Sequence, residues 1–248
     1  MAHAVITREA GAAAAYAAAL ASLGLEAIAL AVTRTAPPRD PGELVRALER
    51  GGYAAIVVAS AGAATALVAA RGHGPLPEVW AVGPATARAL ANAGITARVP
   101  AVARDASALA AALLADRALA GHRVLVPRAE EGREEAIAML RDAGVEVDAI
   151  VAYRTVPADA GDPQLARGLD LLRRGDVAVC AVFAPSQVAA LDGLVGIRQI
   201  TAVFAAIGET TAGALRDAGA ARSAIAVAQT PTPEGLANAL RAVYPLSP

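Results

Sequence analysis

The sequence contains no lysine: all 22 of its basic residues are arginine. That absence excludes Schiff-base chemistry, a pyridoxal-phosphate anchor and the phosphate-gripping lysine of a Walker loop. Anions must instead be held by guanidinium forks, backbone amides and hydroxyls. Cysteine is nearly absent too. Cys180 stands alone in the apolar run 177–183, so there is no intrachain disulfide. It reads as a buried strand thiol, because a nucleophile needs exposed, electropositive surroundings. The three histidines, His3, His73 and His122, lie far apart without ligand spacing, and no metal site is expected. With one Trp, two Phe and four Tyr, the core has to be built from Val, Leu, Ile and Ala in close layers. A net charge of −1 gives no global positive field for nucleic acid. No run of about 18 strongly apolar residues occurs, so no membrane partner or span is expected. The Ala-rich stretch 11–23 follows a strand (4–7) and lacks a strongly apolar centre; it reads as a helix, and the chain as cytoplasmic. G-x-S-x-G, G-x-G-x-x-G and paired His with Asp are all missing, which argues against a hydrolase triad or a nicotinamide site.

What is present is a duplication. Residues 6–37 overlie 126–157 without a gap, matching Arg8 with Arg128, Leu20 with Leu140, Gly24 with Gly144, and Arg34-Thr35 with Arg154-Thr155. A second block places Ala81–Leu90 over Ala206–Leu215, and a weaker one places Ile56–Leu67 over Cys180–Leu191. Three blocks in one order at nearly one offset mean two copies of a βα-repeating unit. Short Val/Ile/Ala strands alternate with helices over 41–50, 85–93, 106–115, 130–143 and 211–218. That alternation implies right-handed crossovers and parallel sheets. The expected fold is α/β: two similar flavodoxin-like parallel-sheet lobes. Pro-rich breaks at 35–41 and 155–163 follow the matching R-T-x-P exits, so the chain crosses between lobes twice. The repeats do not say which half joins which lobe.

Ligands of parallel α/β domains collect at strand carboxyl ends beside helix N-termini. Thr7-Arg8, the 59–62 segment with Ser60, the turn Gly83 to Thr86 and the turn Gly208-Glu209-Thr210-Thr211 occupy such places. Free first-turn amides with a hydroxyl make an anion site; ordinary N-capping by Thr86 and Thr211 is the competing reading. Arg8 and Arg128 suit a carboxylate fork or a structural ion pair. Glu130-Glu131 and Arg133-Glu134-Glu135 read as a charged helix start paired within itself. Tyr153 is the best proton donor available; packing of its ring at a hinge is the alternative.

Taken as an ordered set, Arg123–Arg128, Val151–Thr155, the turns Val82–Ala87 and Ile207–Ala212, and Pro231–Leu236 resemble the uroporphyrinogen-III synthase family nearly end to end. The resemblance implies a discontinuous lobe of 1–34 plus 157–248 and a second lobe of 36–153. A two-stranded linker near 33–41 and 153–163 would join them. It implies cyclisation of hydroxymethylbilane, a linear tetrapyrrole polycarboxylate, without cofactor or metal, through an azafulvene and a spiro intermediate. It puts proton donation on Tyr153. Its turn threonines fall on Thr86 and Thr211 and its first-lobe serine on Ser60; with the strand-end and helix-start residues Arg8, Gly83, Arg128, Ser186, Gly208 and Thr210 they make up the expected substrate-binding set. A monomer in transient contact with porphobilinogen deaminase would follow. Two departures stand out: Ala184 removes a hydroxyl before Pro185-Ser186, and Glu209 puts a negative charge in a turn that usually carries Pro. They keep open a non-catalytic anion clamp and an inactive descendant of the synthase.

Overall fold

The computed structural model describes residues 2–72 and 74–243, so His73 lies outside the described residues. The chain divides into two compact units, Met1–Arg34 with Val156–Pro248, and Thr35–Thr155. The first unit contains β1 (Ala2–Ile6), α1 (Ala10–Ala21) and β2 (Leu25–Ala29). The chain then enters β3 (Thr33–Ala36) and builds the second unit. There follow α2 (Glu43–Arg50), β4 (Tyr53–Val58), α3 (Ala61–Ala70), β5 (Glu78–Ala81), α4 (Gly83–Ala91), β6 (Ala97–Arg98) and α5 (Ala106–Asp116). This unit ends with β7 (Arg123–Ala129), α6 (Glu135–Asp142) and most of β8 (Glu146–Pro157). The return to the first unit adds α7 (Pro163–Arg174), β9 (Val177–Val182), α8 (Pro185–Leu194), β10 (Val203–Ala206), α9 (Glu209–Asp217), β11 (Ile225–Val227) and α10 (Pro233–Arg241).

Both units carry the parallel, doubly wound arrangement expected of flavodoxin-like domains. The first sheet runs β2-β1-β9-β10-β11, and the second runs β8-β7-β4-β5-β6 with β3 beyond β8. Substituting each strand by its duplicate (β7 for β1, β8 for β2, β4 for β9, β5 for β10) turns the first order into the second. The duplication is therefore spatial, although the strand pair that opens one unit closes the other. Residues alternate across the sheets as a period of two requires. In β9, Cys180 and Val182 face one cluster with Leu165, Leu169 and Leu191. Val179 and Ala181 face the other, with Tyr16, Leu20 and Leu236. In β4, Ile56 and Val58 meet Leu67 and Leu90 of α3 and α4, and Val57 meets Leu109 and Ile137 of α5 and α6. Small strands under Ala-rich helices explain how so few aromatics fill two cores.

Gly24 and Gly144 end α1 and α6 at φ +74° and +80°, the left-handed stop that the duplicate positions led one to expect. Three expectations need correction. Helix α6 starts at Glu135, five residues later than the charge pattern suggested. Residues 130–134 form a loop: Glu130 N bonds the Tyr153 carbonyl across to β8, Glu130 pairs with Arg39 and Glu134 with Arg128, instead of pairing within a helical first turn. The two R-T-x-P exits also differ: Arg34–Ala36 lies in β3, separated from β2 by a break at 30–32 and placed in the other sheet, whereas Arg154–Pro157 continues the 12-residue β8 without a break. Finally, Thr86 and Thr211 are not N-caps. Helices α4 and α9 begin earlier, at Gly83 and Glu209, and neither has a side-chain cap. Among the described residues, no helix is long and apolar enough to cross a membrane.

Candidate active site

In the second unit, β4 runs into Ser60, whose extended backbone (φ −159°) lets its Oγ cap α3 by accepting from Ala63 N at 3.1 Å. The same oxygen lies 3.0 Å from the Tyr153 hydroxyl. Tyr153 stands in β8 opposite Ala129, just past a register shift after Arg128, and its carbonyl accepts from Glu130 N at 2.9 Å. That bond anchors the 130–134 loop at the carboxyl end of β7. Arg128 curls under this loop, donating to Glu134 Oε1 at 2.9 Å and to the Gly132 carbonyl at 2.8 Å, while its Nε is buried without a partner. Ser60, Arg128, Arg133 and Tyr153 border one cavity of about 170 Å³ above an apolar floor that includes Val57 and Ile137. Tyr153 also borders a larger cavity of about 540 Å³, walled by Pro37, Pro38 and alanines of α3.

Gly83 and Thr86 stand at the start of α4, which packs against α3 but does not line the smaller cavity. Gly83 takes φ +67°, a backbone that favours glycine, and Thr86 is buried. With Pro84 in the first turn and no side-chain cap, the remaining first-turn amides of α4 lack an intrahelical partner.

In the first unit, Arg8 follows β1 and lies over aromatic rings, its guanidinium carbon 4.2 Å from the centroid of Phe183 and 5.3 Å from that of Tyr16. The two rings meet edge to face at 4.6 Å. A guanidinium stacked this way keeps its in-plane donors free for a carboxylate. Bonded to Thr7 and Phe183, the neighbours of Arg8, is a residue that the sequence pattern did not single out. Gln187 Oε1 accepts from Phe183 N at 2.9 Å and from the Thr7 hydroxyl at 2.7 Å. This joins the ends of β1 and β9 to the first turn of α8. A polar residue one turn into a helix that follows a buried strand was the available signal. Ser186 is half-buried beside it, and α8 starts at Pro185 after Ala184, which offers no side-chain cap.

At the start of α9, Gly208 is fully extended and Thr211 is buried, while Thr210 is exposed. Glu209 points outward and pairs with Arg216, so its charge is neutralised on its own helix. Gly208 and Glu209 border a cavity of about 370 Å³ with Gln229 and Pro231. The structure thus brings Ser60, Arg128 and Tyr153 together in one cavity, places Gly83 and Thr86 at the next helix start, and puts the rest at strand ends of the other unit. Cys180 is fully buried, and burial pushes its thiol up to about 12, as an inert core residue.

These features define a class: a duplicated, doubly wound α/β enzyme whose strand ends carry arginines, hydroxyls and uncapped helix starts. The family described as uroporphyrinogen-III synthase HemD matches residues 14–238, and the chain belongs to that family of tetrapyrrole-synthesis enzymes. No curated protein matches it in sequence. Among solved structures it is similar to uroporphyrinogen-III synthetase from Helicobacter pylori, at TM-score 0.63 and 15% identity over 98% of this chain and 99% of that one. It is also similar to a mutant uroporphyrinogen III synthase from the extremely thermophilic bacterium Thermus thermophilus, at TM-score 0.54 and 21% identity over 98% of each chain. At such identities the likeness speaks for the fold.

Proposed function

We propose that this chain closes hydroxymethylbilane into uroporphyrinogen III, inverting ring D and releasing water, with Tyr153 as proton donor. The observation that carries the reading is the Ser60–Tyr153 hydroxyl pair, 3.0 Å apart, on a cavity that also carries Arg128 and Arg133. Ser60 Oγ already accepts from Ala63 N, so its own proton is free for the tyrosine oxygen. Tyr153 then turns its proton outward, toward the substrate. As the substrate C–O bond breaks, the phenolic O–H bond breaks with it, and the departing hydroxyl leaves as water. The Ser60 hydroxyl stabilises the phenolate that remains. The azafulvene closes through a spiro intermediate, and the proton released when the last pyrrole regains aromaticity returns to the Tyr153 oxygen. General-acid help of this kind is worth about 10²–10⁴-fold.

Each unit, by itself, offers groups that orient a flexible, many-charged chain, and orientation is where most of the rate arises. Arg8 takes a carboxylate, whereas Arg128, held by Glu134 and the Gly132 carbonyl, fixes the 130–134 loop beside Tyr153. The helix starts at Gly83–Thr86, Ser186 and Gly208–Thr210–Thr211 supply amides and hydroxyls. The enzyme acts as a cytoplasmic monomer and receives the bilane in transient contact with porphobilinogen deaminase.

The test couples the purified protein to that deaminase and resolves the porphyrin isomers. Type III product is expected. Type I alone, the isomer of spontaneous closure, overturns the reading and leaves a non-catalytic clamp.

A further inference from the structure

We infer that Gly62 is a positioning residue for Tyr153: its missing side chain is the seat on which the phenol ring rests. The inference builds on the reading of Tyr153 as proton donor. Gly62 is the second residue of α3, two positions after Ser60. A Cβ there would lie 2.8 Å from Tyr153 Cζ, 2.9 Å from Cε2 and 3.0 Å from Cε1, the three ring carbons nearest the hydroxyl. The two shorter approaches are closer than real Cβ contacts come, so one side has to move.

Two ordinary reasons for a glycine do not apply. Its φ is not positive, so the backbone makes no demand for one. It sits within a helix, where alanine is the better former. What remains is the ring. The same turn of α3 therefore supplies both contacts that fix Tyr153: the bare Cα beneath the ring and the Ser60 Oγ beside its hydroxyl. One turn sets both the height of the ring and the direction of its O–H. Because Tyr153 borders the cavities of about 170 and 540 Å³, a methyl group at position 62 has room to push the ring aside without unfolding the unit.

The experiment compares the wild type, Gly62→Ala, Tyr153→Phe and the double variant in the deaminase-coupled assay, and solves the crystal structure of Gly62→Ala. Gly62→Ala is expected to keep its fold and thermal midpoint. Its kcat for type III product should fall by about 10²-fold, the cost of misplacing a reacting group by about 1 Å, with little change in KM. In the Tyr153→Phe background the same substitution should cost nothing further, because the hydroxyl it misplaces is gone. The crystal structure should show the ring displaced and the Ser60–Tyr153 contact opened.

A wild-type rate in Gly62→Ala, an equal loss in the Tyr153→Phe background, or a ring left in place overturns the inference while leaving the donor reading intact. Full activity in Tyr153→Phe overturns the donor reading itself. A displaced ring in that case still establishes the packing role, so the two failures are distinguishable.

Discussion

Arg128 donates to Glu134 at 2.9 Å and to the Gly132 carbonyl at 2.8 Å, while Arg8, its duplicate 120 residues earlier, lies 4.2 Å from the ring centroid of Phe183. Equivalent arginines at equivalent strand ends have thus taken different work. One is bound into a loop; the other keeps its fork open. Arg8→Gln should raise KM by about 10- to 100-fold, the value of a charge-assisted hydrogen bond, with kcat and thermal midpoint nearly unchanged. Arg128→Gln should lower the thermal midpoint, because Glu134 and Gly132 lose their partner. Steady-state kinetics with a melting curve for each variant checks both. An unchanged KM in Arg8→Gln contradicts the role assigned to it.

Gln187 ties together Thr7 and Phe183, the residues next to Arg8. Replacing it with Leu keeps the volume but leaves Phe183 N without its acceptor, although Thr7 retains Ala181 O at 2.9 Å. An unpaired polar group in such a place costs about 1–3 kcal/mol. Urea titration should show a lower midpoint with an unchanged slope. A midpoint equal to wild type means that water or another group satisfies Phe183 N.

At the opposite ends of the second unit's strands, Asp148 accepts from Tyr53 and from Arg123, each at 2.6 Å. The Tyr53 hydroxyl, and then Arg123, hold the carboxyl below its ordinary value of 3.8, outweighing the opposing effect of burial. A depressed folded-state pKa contributes stability that is present above the unfolded value and lost as pH falls through the folded one. The thermal midpoint of the wild type should therefore decline as pH drops below about 5. Asp148→Asn should start lower at neutral pH and decline less steeply. Burial, and then Asp148, push the Tyr53 phenol above 10.0, so its contribution holds through neutral pH and fades only in strong alkali. Parallel acid limbs for the two proteins contradict this assignment.

Much of the fold was legible because strands and helices write their period into the chain. Val177–Val182 alternates faces, Gly24 and Gly144 stop matching helices, and three blocks repeat in order. Helix starts were less legible because caps depend on backbone angles that composition does not display. Ser60 and Thr232 cap their helices, whereas Thr86 and Thr211, equally plausible in sequence, lie inside the first turn. The late start of α6 goes with tertiary contacts that local pattern does not show: Glu130 N bonds the Tyr153 carbonyl of β8, and Glu130 and Glu134 pair with Arg39 and Arg128. The site was legible as a set of strand ends, not as contacts. Tyr153 and Gly62 are 91 positions apart, and nothing in either neighbourhood announces that one ring rests on the other.

The proposed chemistry turns on the phenol of Tyr153, and removing that one oxygen tests it most directly. Tyr153→Phe keeps the ring on Gly62 and loses only the contact with Ser60. Its rate of type III formation should fall by about 10²–10⁴-fold while affinity for the bilane stays near wild type. A Tyr153→Phe enzyme that turns over at the wild-type rate contradicts the account.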